Sequence, residues 1–315
     1  MSVEYCEWIY FERTARQPSV ERLVSGGAKS LVMIKVAVSG ALGRTGSLIV
    51  KSLVSQEDMK LVVGIVRPKH AKVGVDVGEA IGIGRLGVDV MGMDRLDDAL
   101  AKEKPGILVD YTNPEASVSI VKTAAKRKVN LIIGTTGHSP EQLAEILTTL
   151  TTHKVSAVMS PNMSITGNLL FKLAEMSAKT LGRDFDVEIM DIKDRHIGKA
   201  PTPTGTAMTV AMTVAKAFGT DMNEITVYGR PKGLEKTQKD RPKGQICMHA
   251  IRGGSGGDYH EVQVMYAGES QRIVLVGRTD GGSPIVEGTI RAIRFLHRSH
   301  ERGKIFNMLD VLGLK

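Results

Sequence analysis

Val36-Ala37-Val38-Ser39-Gly40-Ala41-Leu42-Gly43-Arg44-Thr45-Gly46 decides the fold of this chain. A short β-branched run enters a turn with glycines three residues apart, and an apolar helical pattern follows at Leu48, Ile49, Leu53 and Val54. That order predicts a strand, a glycine turn and a helix N-terminus, where backbone N–H groups and the helix dipole hold a pyrophosphate. Gly40 permits the sharp exit from the strand, Gly43 lets a phosphate approach the backbone, and Gly46 lets helix and strand pack closely. Arg44 adds a cation for phosphate oxygens, and Ala41, Leu42 and Thr45 complete the predicted cofactor-binding turn. Glycine turns without a ligand are common, so the motif gains its weight from the strand before it and the helix after it.

Outward from this turn, short apolar strands alternate with helical stretches up to about Pro161. Strands are expected at 35–39, 60–66, 106–111, 130–134 and 155–159, with helices at 46–54, 96–103, 114–127 and 140–150. Near-continuous apolar strands alternating with helices indicate a parallel sheet covered on both faces, and ligands of such sheets bind at the strands' carboxyl ends. Those ends carry small or polar turns: Gly40–Gly46, Arg67, Thr112-Asn113-Pro114, Gly134-Thr135-Thr136-Gly137 and Ser160-Pro161-Asn162.

After Asn162 the texture changes. A helix over 165–181 leads to a strand at 186–191, a polar loop and a helix from Gly205 to Phe218. Stretches 245–252, 259–266 and 271–278 alternate apolar and polar residues, as in an antiparallel sheet with one solvated or subunit-facing side. A last helix at 285–300 and the tail 305–314 return to the first domain. The expected fold class is therefore α/β: a Rossmann-type parallel sheet with a second α+β domain containing a mostly antiparallel sheet. The expected divisions are an N-terminal extension at 1–33, a dinucleotide-binding domain at 34–161 completed by 280–315, and a second domain at 162–279. Loop 229–244, basic and punctuated by glycine and proline, reads as a solvated connection.

At 315 residues and 42% hydrophobic, the chain is long enough to bury a full core. A formal charge of +8 suits anionic small molecules. Aromatics at 4%, with no arginine–aromatic interleaving, speak against nucleic acid. No apolar run reaches the roughly eighteen residues of a membrane span. Cys6 and Cys247 lie far apart without a Cys-x-x-Cys, which fits a reducing cytoplasm and predicts no metal site. His249, His260, His297 and His300 lack metal-ligand spacing and read as packing, solvated or oligomer-contact residues. Glu4, Glu7 and Glu12 argue against a transit peptide. Met33, directly before the first strand, makes the preceding segment either an accessory arm or the product of an upstream start codon.

Several segments together resemble the dihydrodipicolinate reductase family: Gly40–Gly46, Asp110-Tyr-Thr-Asn-Pro114, Gly134–Gly137, Ser160-Pro-Asn-Met-Ser164 with Asn168-Leu-Leu170, Pro203-Thr-Gly-Thr-Ala207, His249-Ala-Ile-Arg-Gly-Gly254 and Met308–Leu314. The resemblance implies hydride transfer from NADH or NADPH to 4-hydroxy-tetrahydrodipicolinate, a step of lysine and diaminopimelate biosynthesis, by a cytoplasmic homotetramer, with 162–279 as the substrate-binding and oligomerisation domain. It implies that Gly40–Gly46 bind the pyrophosphate, and that Gly134, Thr135, Thr136, Ser160, Pro161, Asn162 and Met163 line the nicotinamide side with Arg278 nearby. The family often carries an acid after the second strand, which would bind the ribose 2′-hydroxyl of NADH. This chain has Val66 there, followed by Arg67, with Lys69 and Lys72 close by. Losing an anion and keeping cations favours the 2′-phosphate, so NADPH is expected to be preferred over NADH.

The family's His-His-x-x-Lys run precedes a Pro-Ser-Gly-Thr-Ala turn; here the stretch reads Asp191-Ile-Lys-Asp-Arg-His-Ile-Gly-Lys-Ala-Pro-Thr-Pro-Thr-Gly-Thr-Ala207. Lys199 matches the lysine and His196 the second histidine, while Arg195 stands where the usual acid should be. Arginine is a poor proton donor and a good bidentate partner for a carboxylate. The expectation is that His196 and Lys199 are catalytic while Arg195, Thr204, Gly205 and Thr206 hold a dicarboxylate. The altered loop leaves two alternatives: a related imine/amine oxidoreductase of the diaminopentanoate dehydrogenase kind, or a nucleotide-binding paralogue without turnover.

Overall fold

The computed structural model describes residues 33–194, 203–229, 242–254, 259–279 and 284–314. Its first half runs β1 (Ile34–Ser39), α1 (Arg44–Val54), β2 (Met59–Val66), α2 (Val77–Ile81), β3 (Val90–Gly92), α3 (Leu96–Glu103), β4 (Ile107–Asp110), α4 (Pro114–Lys126), β5 (Asn130–Ile133), α5 (Pro140–His153) and β6 (Ala157–Met159). There follow α6 (Ile165–Leu181), β7 (Asp186–Asp194), α7 (Gly205–Ala217), α8 (Met222–Ile225), β8 (Thr226–Tyr228), β9 (Ile246–Gly253), β10 (His260–Ala267), β11 (Arg272–Thr279), α9 (Pro284–Arg298), β12 (Ile305–Phe306) and α10 (Met308–Leu312).

Local chemistry starts the helices where the sequence predicts them. Asn113 caps α4 through the Ala116 N–H, with Pro114 in the first turn. Ser139 and Gln142 form a reciprocal capping box on α5. The strands of the first sheet are apolar because both faces are covered. Val36 and Val38 pack with Ile49 and Leu53 of α1 and Ile293 of α9. Ala37, between them, turns to the opposite face with Leu96, Leu100, Val118 and Val121.

This sheet is parallel throughout its described pairs, in the order β12-β6-β5-β4-β1-β2-β3. The chain starts in the middle, winds outward through β2 and β3, then crosses back to β4. Strand order therefore reverses between β1 and β4, and a crevice opens there at the carboxyl ends. Two elements on this sheet lack periodicity long enough to read in the sequence. Between Arg67 and Leu96, the Asp76 carboxylate accepts backbone N–H groups from Gly78, Glu79, Leu86, Gly87 and Val88, and so organises α2 and the approach to β3. At the other edge, the tail supplies β12 beside β6.

The second sheet has the order β11-β10-β7-β9-β8. Strands β7, β10 and β11 pair antiparallel, whereas β9 joins β7, and β8 joins β9, in parallel. On one face, Val187, Ile189, Val262, Val264 and Tyr266 bury against α6 and α7. On the other, Ile251, Val274 and Val276 are 46%, 43% and 53% exposed. Helix α9 returns to the first sheet as expected. Gly288 lies so close to the Met163 carbonyl that a Cβ there would collide with it, and Arg294 grips both carboxylate oxygens of Asp58 at 2.8 Å.

Candidate functional site

The glycine turn is shaped by close approaches. Gly40 has φ +75°, and a Cβ on it would strike the Tyr111 carbonyl; a Cβ on Gly46 would strike the Gly40 carbonyl. The N–H groups of Gly40 and Ala41 are both taken by the Ile65 carbonyl, at 2.9 and 3.0 Å, which ties the turn to β2. Helix α1 then begins with no side-chain cap and no acid in its first turn. Its first N–H groups and positive dipole end are thus left for an anion at the crevice, beside the exposed Arg44. The Ala41 side chain is buried and Leu42 packs on the core, so these two offer backbone rather than side chains. A pyrophosphate fits this cradle.

The neighbouring turns are locked to one another by Asp110, fully buried at the end of β4. Burial pushes its carboxyl up, opposed by hydroxyl donors. Thr112 donates to one oxygen at 2.7 Å and Thr135 to the other at 3.0 Å, while the Thr112 N–H donates to Thr135 Oγ1 at 2.9 Å. Gly134 leaves room for the Tyr111 ring. The Tyr111 hydroxyl, pushed by burial up to about 12, donates to Thr289 Oγ1 at 2.7 Å and so ties the crevice to α9. After β6, Ser160 Oγ donates to the Asn162 carbonyl at 2.8 Å, and Asn162 Oδ1 accepts the Ser164 N–H at 2.8 Å. Met163 is buried in the core rather than presented to solvent.

A cavity of about 320 Å³ opens beside this last turn, with Pro161, Asn162 and Thr166 on one side and Thr206, His260 and Thr279 on the other. It lies at the small end of ligand-site volumes. Beneath it, Asp191 of β7 gathers three other elements. Arg252 Nη2 of β9 donates to its Oδ2 at 2.7 Å, and His260 Nε2 of β10 lies 2.9 Å from its Oδ1. Thr204 donates its N–H to Oδ2 at 2.6 Å and its hydroxyl to Oδ1 at 3.0 Å. Burial of Asp191 would raise its pKa, but bonds from His260, Arg252 and Thr204 outweigh burial and hold it at about 2. Thr204 also caps α7 through the Ala207 N–H. The carboxylate therefore anchors the N-terminus of α7, with Gly205 and Thr206 in its first turn and Thr206 lining the cavity.

The structure thus brings Pro161, Asn162 and Thr206 to one cavity, with Thr204 and Gly205 adjoining it. Thr135 and Ser160 are buried, and Thr136 is exposed at the sheet's carboxyl end. Arg67 is exposed directly after β2, whereas Lys72 Nζ is held by the Ala80 carbonyl at 2.7 Å. Arg278 is not brought to this cavity. Its neighbours Gly277 and Thr279 line it, so alternation sends Arg278 to the opposite face, where it pairs with Glu261 at 2.8 Å and stacks over the Tyr259 ring. Arg195, His196 and Lys199 lie outside the described residues. His260, read from the sequence as a packing, solvated or oligomer-contact residue, lines the cavity instead. Asp191 carried one signal that was available: it is the first charged residue on a strand phase that opens with the buried Val187 and Ile189.

A glycine turn suited to a phosphate at the switch point of a doubly wound sheet, with a polar cavity at a second helix N-terminus, puts the chain in the class of doubly wound nucleotide-binding proteins. Comparison with known proteins narrows the class. Residues 34–163 match the family model described as dihydrodipicolinate reductase, N-terminus, and residues 167–312 match the one described as dihydrodipicolinate reductase, C-terminus. The chain belongs to the dihydrodipicolinate reductase family. A relative from Methanocaldococcus jannaschii, named 4-hydroxy-tetrahydrodipicolinate reductase, is 44% identical over 282 residues, covering 90% of this chain and 98% of the relative. One of the same name from Methanococcus maripaludis is 40% identical, covering 90% and 100%. Among solved structures, a dipicolinate-bound dihydrodipicolinate reductase from Paenisporosarcina sp. TG-14 superposes with TM-score 0.66 at 25% identity, over 88% of this chain and 98% of that one. An amine dehydrogenase from Mycobacterium smegmatis shares the fold, with TM-score 0.55 at 17% identity, over 86% and 94%.

Proposed function

We propose that this chain reduces 4-hydroxy-tetrahydrodipicolinate to tetrahydrodipicolinate with a reduced pyridine nucleotide, as a step of lysine and diaminopimelate biosynthesis. The observation that carries the reading is the cavity flanked by Asn162 and Thr206, next to the N-terminus of α7 that Asp191 anchors. The relatives' names supply the reaction; this cavity supplies a place for a small dicarboxylate. The substrate loses water and gains a hydride on one carbon and a proton on its neighbour. The nicotinamide, when bound, supplies the hydride. Gly40, Ala41, Leu42, Gly43, Arg44, Thr45 and Gly46 hold the pyrophosphate, and Gly134, Thr135, Thr136, Ser160, Pro161, Asn162 and Met163 form the turns on the nicotinamide side. Arg195, Thr204, Gly205 and Thr206 hold the carboxylates, and His196 and Lys199 are catalytic, with His196 donating the proton.

In this reading NADPH is preferred over NADH, because the exposed Arg67 follows Val66 where an acid would serve the 2′-hydroxyl. Residues 34–161 with 280–315 form the nucleotide domain and 162–279 the substrate domain. The open face of the second sheet, with Ile251, Val274 and Val276 exposed, supports a homo-oligomer, a tetramer by family resemblance. Among the described residues no helix is long and apolar enough to cross a membrane, and a cytoplasmic location is part of the proposal.

The test couples the protein to dihydrodipicolinate synthase with pyruvate and aspartate semialdehyde and follows NADPH absorbance. Rapid oxidation supports the reading. Turnover only on other imines or amines, or tight nucleotide binding without turnover, overturns it.

A further inference from the structure

On the sheet face away from α6 and α7, three ligand-bearing side chains meet where β7 and β9 run side by side. Register sets Glu188 directly opposite Cys247, and His249 follows two residues further on, so all three point to the same side. Their ligand atoms lie within 4.8 Å of one another. His249 Nε2 and Glu188 Oε2 are 2.7 Å apart. Cys247 is fully buried, while the Glu188 and His249 side chains are 13% and 32% exposed.

We propose that Glu188, Cys247 and His249 form a binding site for a zinc-like divalent ion, separate from the nucleotide and substrate sites. Thiolate, imidazole and carboxylate together suit a borderline-soft metal rather than calcium or magnesium. Tetrahedral bonds of about 2.0–2.3 Å require ligand atoms about 3.4–3.6 Å apart, so the trio closes on an ion with side-chain adjustments alone. The His249–Glu188 contact is where the ion enters: the shared proton leaves, the two atoms separate by about 0.7–0.9 Å, and the Cys247 thiol gives up the proton it directs at the Gly229 carbonyl. The exposed edge of His249 leaves the fourth position open to a ligand from outside the trio. The ion ties β7 to β9 three residues, roughly 10 Å, before the Asp191–Arg252 pair that joins the same strands.

The test uses metal-stripped full-length protein titrated with Co²⁺ and then Zn²⁺, and is independent of reductase activity. The expected result is one Co²⁺ per chain with a thiolate-to-cobalt charge-transfer band that Zn²⁺ abolishes, and a higher melting temperature with Zn²⁺. Cys6→Ser retains both. Cys247→Ser abolishes the band, and His249→Gln weakens binding by roughly 100-fold, the upper end of what even outer partners of a metal site cost. Should Cys247→Ser not fold, Glu188→Gln with X-ray absorption of the wild-type Zn²⁺ complex reads the same ligand set. No stoichiometric binding, a band lost in Cys6→Ser, or a band that survives Cys247→Ser overturns the proposal.

Discussion

His260 Nε2 stands 2.9 Å from Asp191 Oδ1, although 69 positions separate the two residues. Pairing of β10 with β7 sets His260 opposite Lys193, on the same face as Asp191, and the histidine reaches back to the carboxylate. One end of this pair lines the cavity and the other holds the N-terminus of α7 through Thr204. The dyad therefore couples the shape of the cavity to the anchoring of the helix.

Asp191 should leave a signature in stability against pH. Its folded pKa, about 2, lies below the ordinary aspartate value. The stabilisation is thus complete above the unfolded pKa and disappears as pH falls through the interval between about 4 and 2. A shift of this size corresponds to roughly 2 kcal/mol. Urea unfolding of wild type and Asp191→Asn should show a stability gap at pH 6 that narrows by pH 3. A gap independent of pH means that the charge of Asp191 is not what stabilises the cluster.

Gly46→Ala should damage both folding and nucleotide binding, because its Cβ meets the Gly40 carbonyl rather than a movable side chain. Overpacking against backbone costs about 1–3 kcal/mol. The matched control is Gly106→Ala, where nothing lies within 4 Å of the added Cβ. Melting temperature and calorimetric NADPH titration of the two variants test this; equal behaviour would falsify the close-approach argument.

Arg67→Ala should raise the KM for NADPH about five- to tenfold and leave that for NADH nearly unchanged, since an exposed charge-assisted contact contributes about 1 kcal/mol. Steady-state kinetics with both nucleotides decide it. Equal effects on the two cofactors would show that Arg67 does not meet the 2′-phosphate.

His196 and His260 should separate in kinetics. His196→Gln should lower kcat about 100-fold if it donates the proton. His260→Gln loosens the Thr204 anchor and should act mainly through a KM raised about tenfold. Wild-type kcat in His196→Gln would put the acid elsewhere, and a kcat effect alone in His260→Gln would remove its positioning role.

Much of this architecture is legible in the sequence, and for local reasons. Helices α3 and α6 span the residues the periodicity predicted, because amphipathic spacing and nearby stop signals act within a few residues. The short elements α2 and β3 carry no local signature in the sequence, because Asp76 assembles them through bonds to backbone up to 12 positions away. Pro161, Asn162 and Thr206 were marked by their turns, and they do converge on one cavity. Arg278 lies on the face of β11 away from that cavity, which a motif match does not reveal because it carries no information on strand phase.

The sequence by itself determined the β1–turn–α1 unit, the alternation that makes the first sheet parallel, and the break in texture after Asn162, because propensity, capping and glycine sterics operate between near neighbours. Only the tertiary structure decided that Asp191, Arg252, His260 and Thr204 meet, or that Glu188, Cys247 and His249 share a face. Those meetings depend on which strands pair and in what register. Register is fixed by burying whole faces of a sheet against helices, a collective property of residues far apart in the chain.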